Sequence, residues 1–288
     1  MTLKIRLAHL RRACTVCLLG LGAIGLLTTA AQSEPPSLLL ATTTSVQDSG
    51  LLDLLLPAFT ERTGIRVRTV AVGTGAALRM GAEGDADILL THAPSAERPL
   101  VESQAVSQRV EIMDNYFVIA GPPEDPAQIA SATNASQAMQ RIHATQSPFV
   151  SRSDDSGTHK KEGQLLQNAG LDPKVKWPGL TRTGSGMGAS LLVAGQRRAY
   201  ILSDIGTFLA FRDRINLTAL TPRSPDLKNT YSVLLVNPKR FPEVRAEEAR
   251  QLAEYLQSAD AQALMKKFGQ KRFGQPLFSP LIGEPSGH

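Results

Sequence analysis

The chain is poor in the residues that perform covalent chemistry. It has two cysteines in 288 residues, Cys14 and Cys17, and both fall near the N-terminus. If that segment is removed, no thiol remains. Disulfides, cysteine nucleophiles and thiolate metal ligands are then excluded. Histidine is sparse as well. His92, His143 and His159 are too widely spaced for a zinc pattern. No G-x-S-x-G elbow and no Walker A phosphate loop occurs. A secreted α/β hydrolase or phosphatase needs a nucleophile with its base, or metal ligands, and neither set is present. The reading is a non-enzyme with no cofactor and no bound metal cation. The single tryptophan, Trp177, sits beside Pro178-Gly179 in a loop, with core, lobe interface and cleft all open to it.

Acids are missing from the start. None precedes Glu34, whereas Lys4, Arg6, Arg11 and Arg12 give a basic opening. An apolar run follows from Cys14 to Leu27, then the small residues Thr28 to Ala31. This is the pattern of a secretory signal peptide over residues 1–31, with cleavage after Ala31 or Ser33. The run is short for the roughly 18–20 apolar residues of a membrane span. No cysteine follows it, so a lipoprotein signal is not indicated. The formal charge of +5 includes these four bases, so about +1 remains without them. No basic field is left to argue for nucleic acid or a membrane surface. A soluble periplasmic monomer is expected.

The rest of the chain alternates strand and helix signals. Leu38 to Ala41 reads as a short strand ending in threonines. A helical pattern runs from Ser49 to Thr63, and Gly64 stops it. Ile65 to Val72 and Ala86 to Thr91 read as further strands. Such alternation implies an α/β fold with a mostly parallel sheet and right-handed crossovers. Two apolar segments, 116–120 and 231–236, read as crossings between lobes. Lobe I then comprises residues 34–115 and 237–288, and lobe II residues 116–236.

Four small turns rich in glycine and hydroxyls stand where helices should begin. They are Thr42 to Ser45, Gly73-Thr74-Gly75, Ser156-Gly157-Thr158 and Gly184 to Gly188. A helix start offers unpaired N–H groups and a partial positive charge. Small residues let the backbone approach a ligand, and the whole favours an anion. Capping alone explains any one of these turns; four in one chain favour a binding site. Arg152 adds a planar guanidinium at a strand end, six residues before Thr158, with Asp154 or Asp155 available to hold it. His159 in the same segment reads as a surface or capping residue.

These residues also carry a resemblance. Segments 41–59, 70–94 and 148–162, with Gly184 to Leu191 and Ser203 to Thr207, closely resemble the tungstate-binding proteins of ABC transporters. The resemblance covers nearly all of the chain after the leader. It implies a two-lobed periplasmic-binding-protein fold, type II-like, with two hinge crossings. It also implies tungstate held between the lobes and passed to a transporter permease. Carried over by motif, the ligand residues are Thr43, Thr44, Thr74, Arg152, Ser156 and Thr158, with Gly186 and Met187 beside them. Val46, Ala76 and Ala93 depart from the family's usual threonine, glutamine and acid. Tungstate is a tetrahedral dianion with no proton to donate near neutral pH, so it suits a site of donors without a carboxylate acceptor. Phosphate, which keeps a proton, is the alternative ligand, and molybdate is nearly isosteric with tungstate.

Overall fold

The computed structural model describes residues 37–174 and 176–281. The expected signal peptide lies outside them. In chain order the elements are β1 (Ser37–Thr43), α1 (Thr44–Ser49), α2 (Leu51–Thr63), β2 (Arg66–Val72), α3 (Thr74–Glu83), β3 (Ile88–Thr91), α4 (Pro94–Glu102) and β4 (Val106–Gly121). Next come α5 (Ala135–Ala144), β5 (Phe149–Ser151), α6 (Gly157–Asn168), β6 (Leu180–Arg182), α7 (Met187–Arg197), β7 (Tyr200–Asp204), α8 (Ile205–Phe211) and β8 (Thr218–Ala219). The chain ends with β9 (Lys228–Val236), α9 (Ala246–Gln257), α10 (Ala259–Lys267), α11 (Gln270–Phe273) and β10 (Ser279–Pro280).

The strands form two sheets that share β4. The first runs β2-β1-β3-β9-β4 and the second β4-β7-β5-β6. Each contains a parallel triplet, β2-β1-β3 and β7-β5-β6. The shared strand and β9 run antiparallel to their neighbours. The sheets are therefore more mixed than strand-helix alternation suggests, because both returning segments add antiparallel strands. β4 is the joint. Residues up to Tyr116 pair with β9, and from Phe117 it pairs with β7. β9, which contains the apolar segment 231–236, is paired with β3 and β4 in the first sheet from Lys228 onward.

The inner strands β3, β5 and β7 are buried on both faces, which suits their apolar sequences. Alternate residues divide between the faces. Leu38, Leu40, Ile88, Leu90 and Val233 enter one core with Phe59 of α2 and Leu252 of α9, while Ala41, Leu89 and Leu234 enter another with Ala77 of α3. In the second sheet Phe117, Ile119, Tyr200 and Leu202 face α5 and α6, whereas Val118, Ala120 and Ile201 face α7 and α8. Trp177 joins the former core, its indole N–H donating to the Ser147 carbonyl at 2.9 Å. The cores hold the strand ends rigid, and the helix starts that follow those ends inherit that rigidity.

Candidate functional site

Four helix starts meet at one cavity of about 280 Å³ between the sheets. From the first sheet come Thr43, Thr44 and Ser45 at α1, and Gly73 and Thr74 at α3. From the second come Arg152, Asp154, Ser156, Gly157 and Thr158 before and within α6, and Gly186 before α7. Of the residues expected from sequence, Thr43, Thr44, Thr74, Arg152, Ser156, Thr158 and Gly186 all line it. Met187 lines an adjoining cavity of about 430 Å³, which shares Thr44, Arg152 and Gly186.

Local geometry sorts the hydroxyls. Thr42 turns into the sheet and donates to the Leu90 carbonyl at 2.7 Å, which removes it from the cavity wall. Thr43 is the N-cap of α1 and accepts the Val46 N–H at 3.4 Å. Ser156 is the N-cap of α6 and accepts the His159 N–H at 3.3 Å. The Ser156 hydroxyl, its oxygen so used, keeps a proton to donate, whereas that of Thr43 also meets Ser45 Oγ at 3.1 Å. The first N–H groups of α3, α6 and α7 have no partner within their helices. Gly186 leaves room: a Cβ placed there would meet nothing within 4 Å.

Arg152 is the cation of the cavity. It is 5% exposed. One terminal nitrogen donates to Asp154 Oδ2 at 2.5 Å and the other to Thr158 Oγ1 at 3.4 Å. Its Nε is buried without a hydrogen-bond partner. A buried, unpaired charged donor is costly, which sets this atom apart from the two terminal nitrogens. The acids are occupied elsewhere. Asp154 takes the guanidinium with one oxygen and the Ser156 N–H with the other at 3.2 Å. Asp155 pairs with Lys160. Ser153 and Asp155 hold left-handed φ angles of 50° and 58°, which bends the loop so that Arg152 and Ser156 face the same space.

Sequence reasoning missed His92 and Glu162 here, and gave Ser45, in the first of the four turns, no role of its own. Ser45 and His92 line the cavity and touch each other, Oγ to Nε2 at 3.1 Å. Glu162, on α6, is buried with its carboxyl on Ser151. Burial, the largest effect, pushes it up to about 7, against the pull of the Ser151 hydrogen bond and of Arg182. His159 does act as a turn residue: its Nδ1 accepts the Asp155 N–H at 3.1 Å. Beyond His92 and Gly157 lies a further cavity of about 260 Å³ that carries Arg98, Lys160, Lys161 and Lys228.

A family model described as a PBP superfamily domain matches residues 30–260. The tungstate-binding protein TupA of Peptoclostridium acidaminophilum is 40% identical over 246 residues, 85% of this chain and 85% of that protein. Among solved structures, the tungstate binding protein TupA from Desulfovibrio alaskensis G20 has a TM-score of 0.77 at 38% identity, covering 86% of this chain and 100% of that one. The tungstate ABC transporter structure from Geobacter sulfurreducens has a TM-score of 0.72 at 40% identity, covering 81% of this chain and 98% of that one. With this likeness along most of its length, the chain belongs to the tungstate-binding protein family of the PBP superfamily.

Proposed function

We propose that the chain is an extracytoplasmic receptor that captures tungstate between its two lobes and hands it to the permease of an ABC transporter. It acts without turnover, as a monomer. The ligand is held by Arg152, by the hydroxyls of Thr43, Thr44, Thr74, Ser156 and Thr158, and by the helix starts at Gly186 and Met187. Residues 1–31 direct export, and the mature chain begins between Gln32 and Pro35.

One observation carries this reading. The cavity offers a buried guanidinium with an unpartnered Nε, surrounded by donors, and its nearest carboxylate already has both oxygens engaged. A fully deprotonated dianion satisfies such a set. Phosphate near neutral pH carries a proton, and Asp154, the one carboxylate lining that cavity, has no free oxygen to accept it; a bare carboxylate set against an anion costs several kcal/mol. Charge-assisted hydrogen bonds contribute about 1.5–3 kcal/mol each. A handful of them support nanomolar binding, roughly 12 kcal/mol, after ordering costs. Molybdate, nearly isosteric, shares the site.

The test is calorimetric competition on ligand-stripped protein at two pH values, with tungstate, molybdate, sulfate and phosphate. Tungstate and molybdate should bind at least about a thousandfold more tightly than phosphate, roughly 4 kcal/mol. Phosphate displacing an equal concentration of tungstate at either pH overturns the reading.

A further inference from the structure

We propose that His92 is a positioning residue of this cavity: it ties the hydroxyl lip of the first lobe to the hinge and forms the seat on which Gly157 of the second lobe closes. The inference rests on the tungstate reading only for its probe.

His92 follows β3 and is buried. Three structures meet on its ring. Nε2 lies 3.1 Å from Ser45 Oγ, and Ser45 lies 3.1 Å from Thr43 Oγ1 at the cavity lip. Nδ1 lies 3.0 Å from Asn229 Oδ1. The Asn229 amide reaches Asn115 at 2.7 Å and the Tyr231 hydroxyl at 3.0 Å. Asn115 and Asn229 are opposite each other in the β4–β9 ladder, two residues before β4 leaves for the second sheet. The ring also stacks on Tyr231, with centroids 4.8 Å apart and planes at 25°. Two hydrogen bonds and a stack leave it no freedom to turn away.

The third structure is α6 of the other lobe. At Gly157 a Cβ would lie 2.8 Å from His92 Cε1, and its three nearest atoms would all belong to that ring. The backbone of the anion-binding turn therefore rests directly on the imidazole. Gly157 has no left-handed φ, so its lack of a side chain is required by this contact and not by the turn. Burial lowers the affinity of the ring for a second proton, which keeps it neutral beside Arg152. A neutral ring can sit between two lobes without repelling the guanidinium that both serve.

This predicts a coupling that a merely structural histidine lacks. At the first position of a helix, glycine to alanine is otherwise neutral or favourable. Gly157→Ala should here wedge the lobes apart and weaken tungstate binding at least tenfold. In a His92→Ala background the methyl has space, and the same substitution should change affinity less than threefold. The measurement is tungstate calorimetry on the four mature proteins, with ligand-free melting curves to show that each is folded. His92→Asn replaces His92→Ala if the latter does not fold, with the same outcomes. Equal losses from Gly157→Ala in both backgrounds, or a Gly157→Ala protein that binds like wild type, overturn the proposal. Wild type failing to bind tungstate sinks the ligand reading instead.

Discussion

Glu162→Gln isolates one electrostatic effect in α6, the helix that carries Gly157 and Thr158. Glu162 is buried on α6, and its carboxyl is pushed up from 4.5 to about 7, chiefly by burial. In the unfolded chain it loses its proton near 4.5. Between pH 4.5 and 7 the folded state therefore holds a proton that the unfolded state has released. Stability rises with pH only where the unfolded state binds more protons; here the folded state does, so this group lowers stability as pH climbs through that window. The full effect is present above pH 7. A displacement from 4.5 to 7 corresponds to about 3 kcal/mol. Glutamine has the same shape, bonds to Ser151 and never ionises. The variant should match wild type at pH 4.5, gain progressively to pH 7, and be about 2–3 kcal/mol more stable at pH 8. For a domain of this size, roughly 2–4 °C accompanies each kcal/mol. The assay is urea denaturation of ligand-free protein at pH 4.5, 6 and 8, supported by calorimetric melting. Removing ligand matters, since a bound anion adds stability of its own. A stability difference that does not change with pH, or a variant less stable at pH 8, would refute the argument. The same carboxyl should feel the ligand. A dianion at Arg152 disfavours the ionised form, so wild type should take up protons on binding tungstate near neutral pH. Binding heats in buffers of different ionisation enthalpy report that uptake, and Glu162→Gln should abolish it.

Arg152→Lys should weaken tungstate binding by at least about 2 kcal/mol, roughly thirtyfold, because an ammonium cannot reproduce the fork that holds Asp154, Thr158 and the ligand together. Thr158→Val should cost less, and titration of an Arg152→Lys protein that binds within threefold of wild type counts against the site. Gly186→Ala projects a methyl into open space at the cavity, so calorimetry should show weaker binding while the ligand-free melting temperature stays put. Closure of two lobes about β4 and β9 should reduce the radius of gyration when tungstate is added, and unchanged small-angle scattering with confirmed binding argues for a rigid receptor.

The parts of this fold legible in sequence were those set by local rules. β1, α2, β2 and β3 announce themselves through apolar runs and capping glycines. Thr43 and Ser156 read as helix starts because an N-cap needs a short hydroxyl side chain whatever its surroundings. What escaped was decided at long range. The first half of β4, from Val106 to Glu111, is too polar to read as a strand, and only pairing with β9 makes it one. β6, three residues long, takes its form from parallel pairing with β5. Glu162 has the look of a solvated charge on an amphipathic helix, since nothing nearby in sequence tells which face β5 will cover. His92 is 47 residues from Ser45 and 137 from Asn229, and an isolated histidine carries no mark of such partners.

The glycines show most plainly how one motif conceals two demands. Gly157 and Gly186 both stand beside hydroxyls at the start of a helix, and both suggest backbone brought close to an anion. In the fold their missing side chains serve different neighbours. The space at Gly186 is empty and lies on the cavity, where a ligand can use it. The space at Gly157 is filled by the His92 ring. One glycine therefore leaves room at the cavity, while the other makes room for the opposite lobe. Affinity in a closing receptor depends on both, because hydrogen bonds from two lobes reach one small ion only if the lobes can meet. A substitution that touches no ligand atom can then cost as much as one that does, provided it stands where the lobes touch. The Gly157 and His92 pair is where that cost should appear.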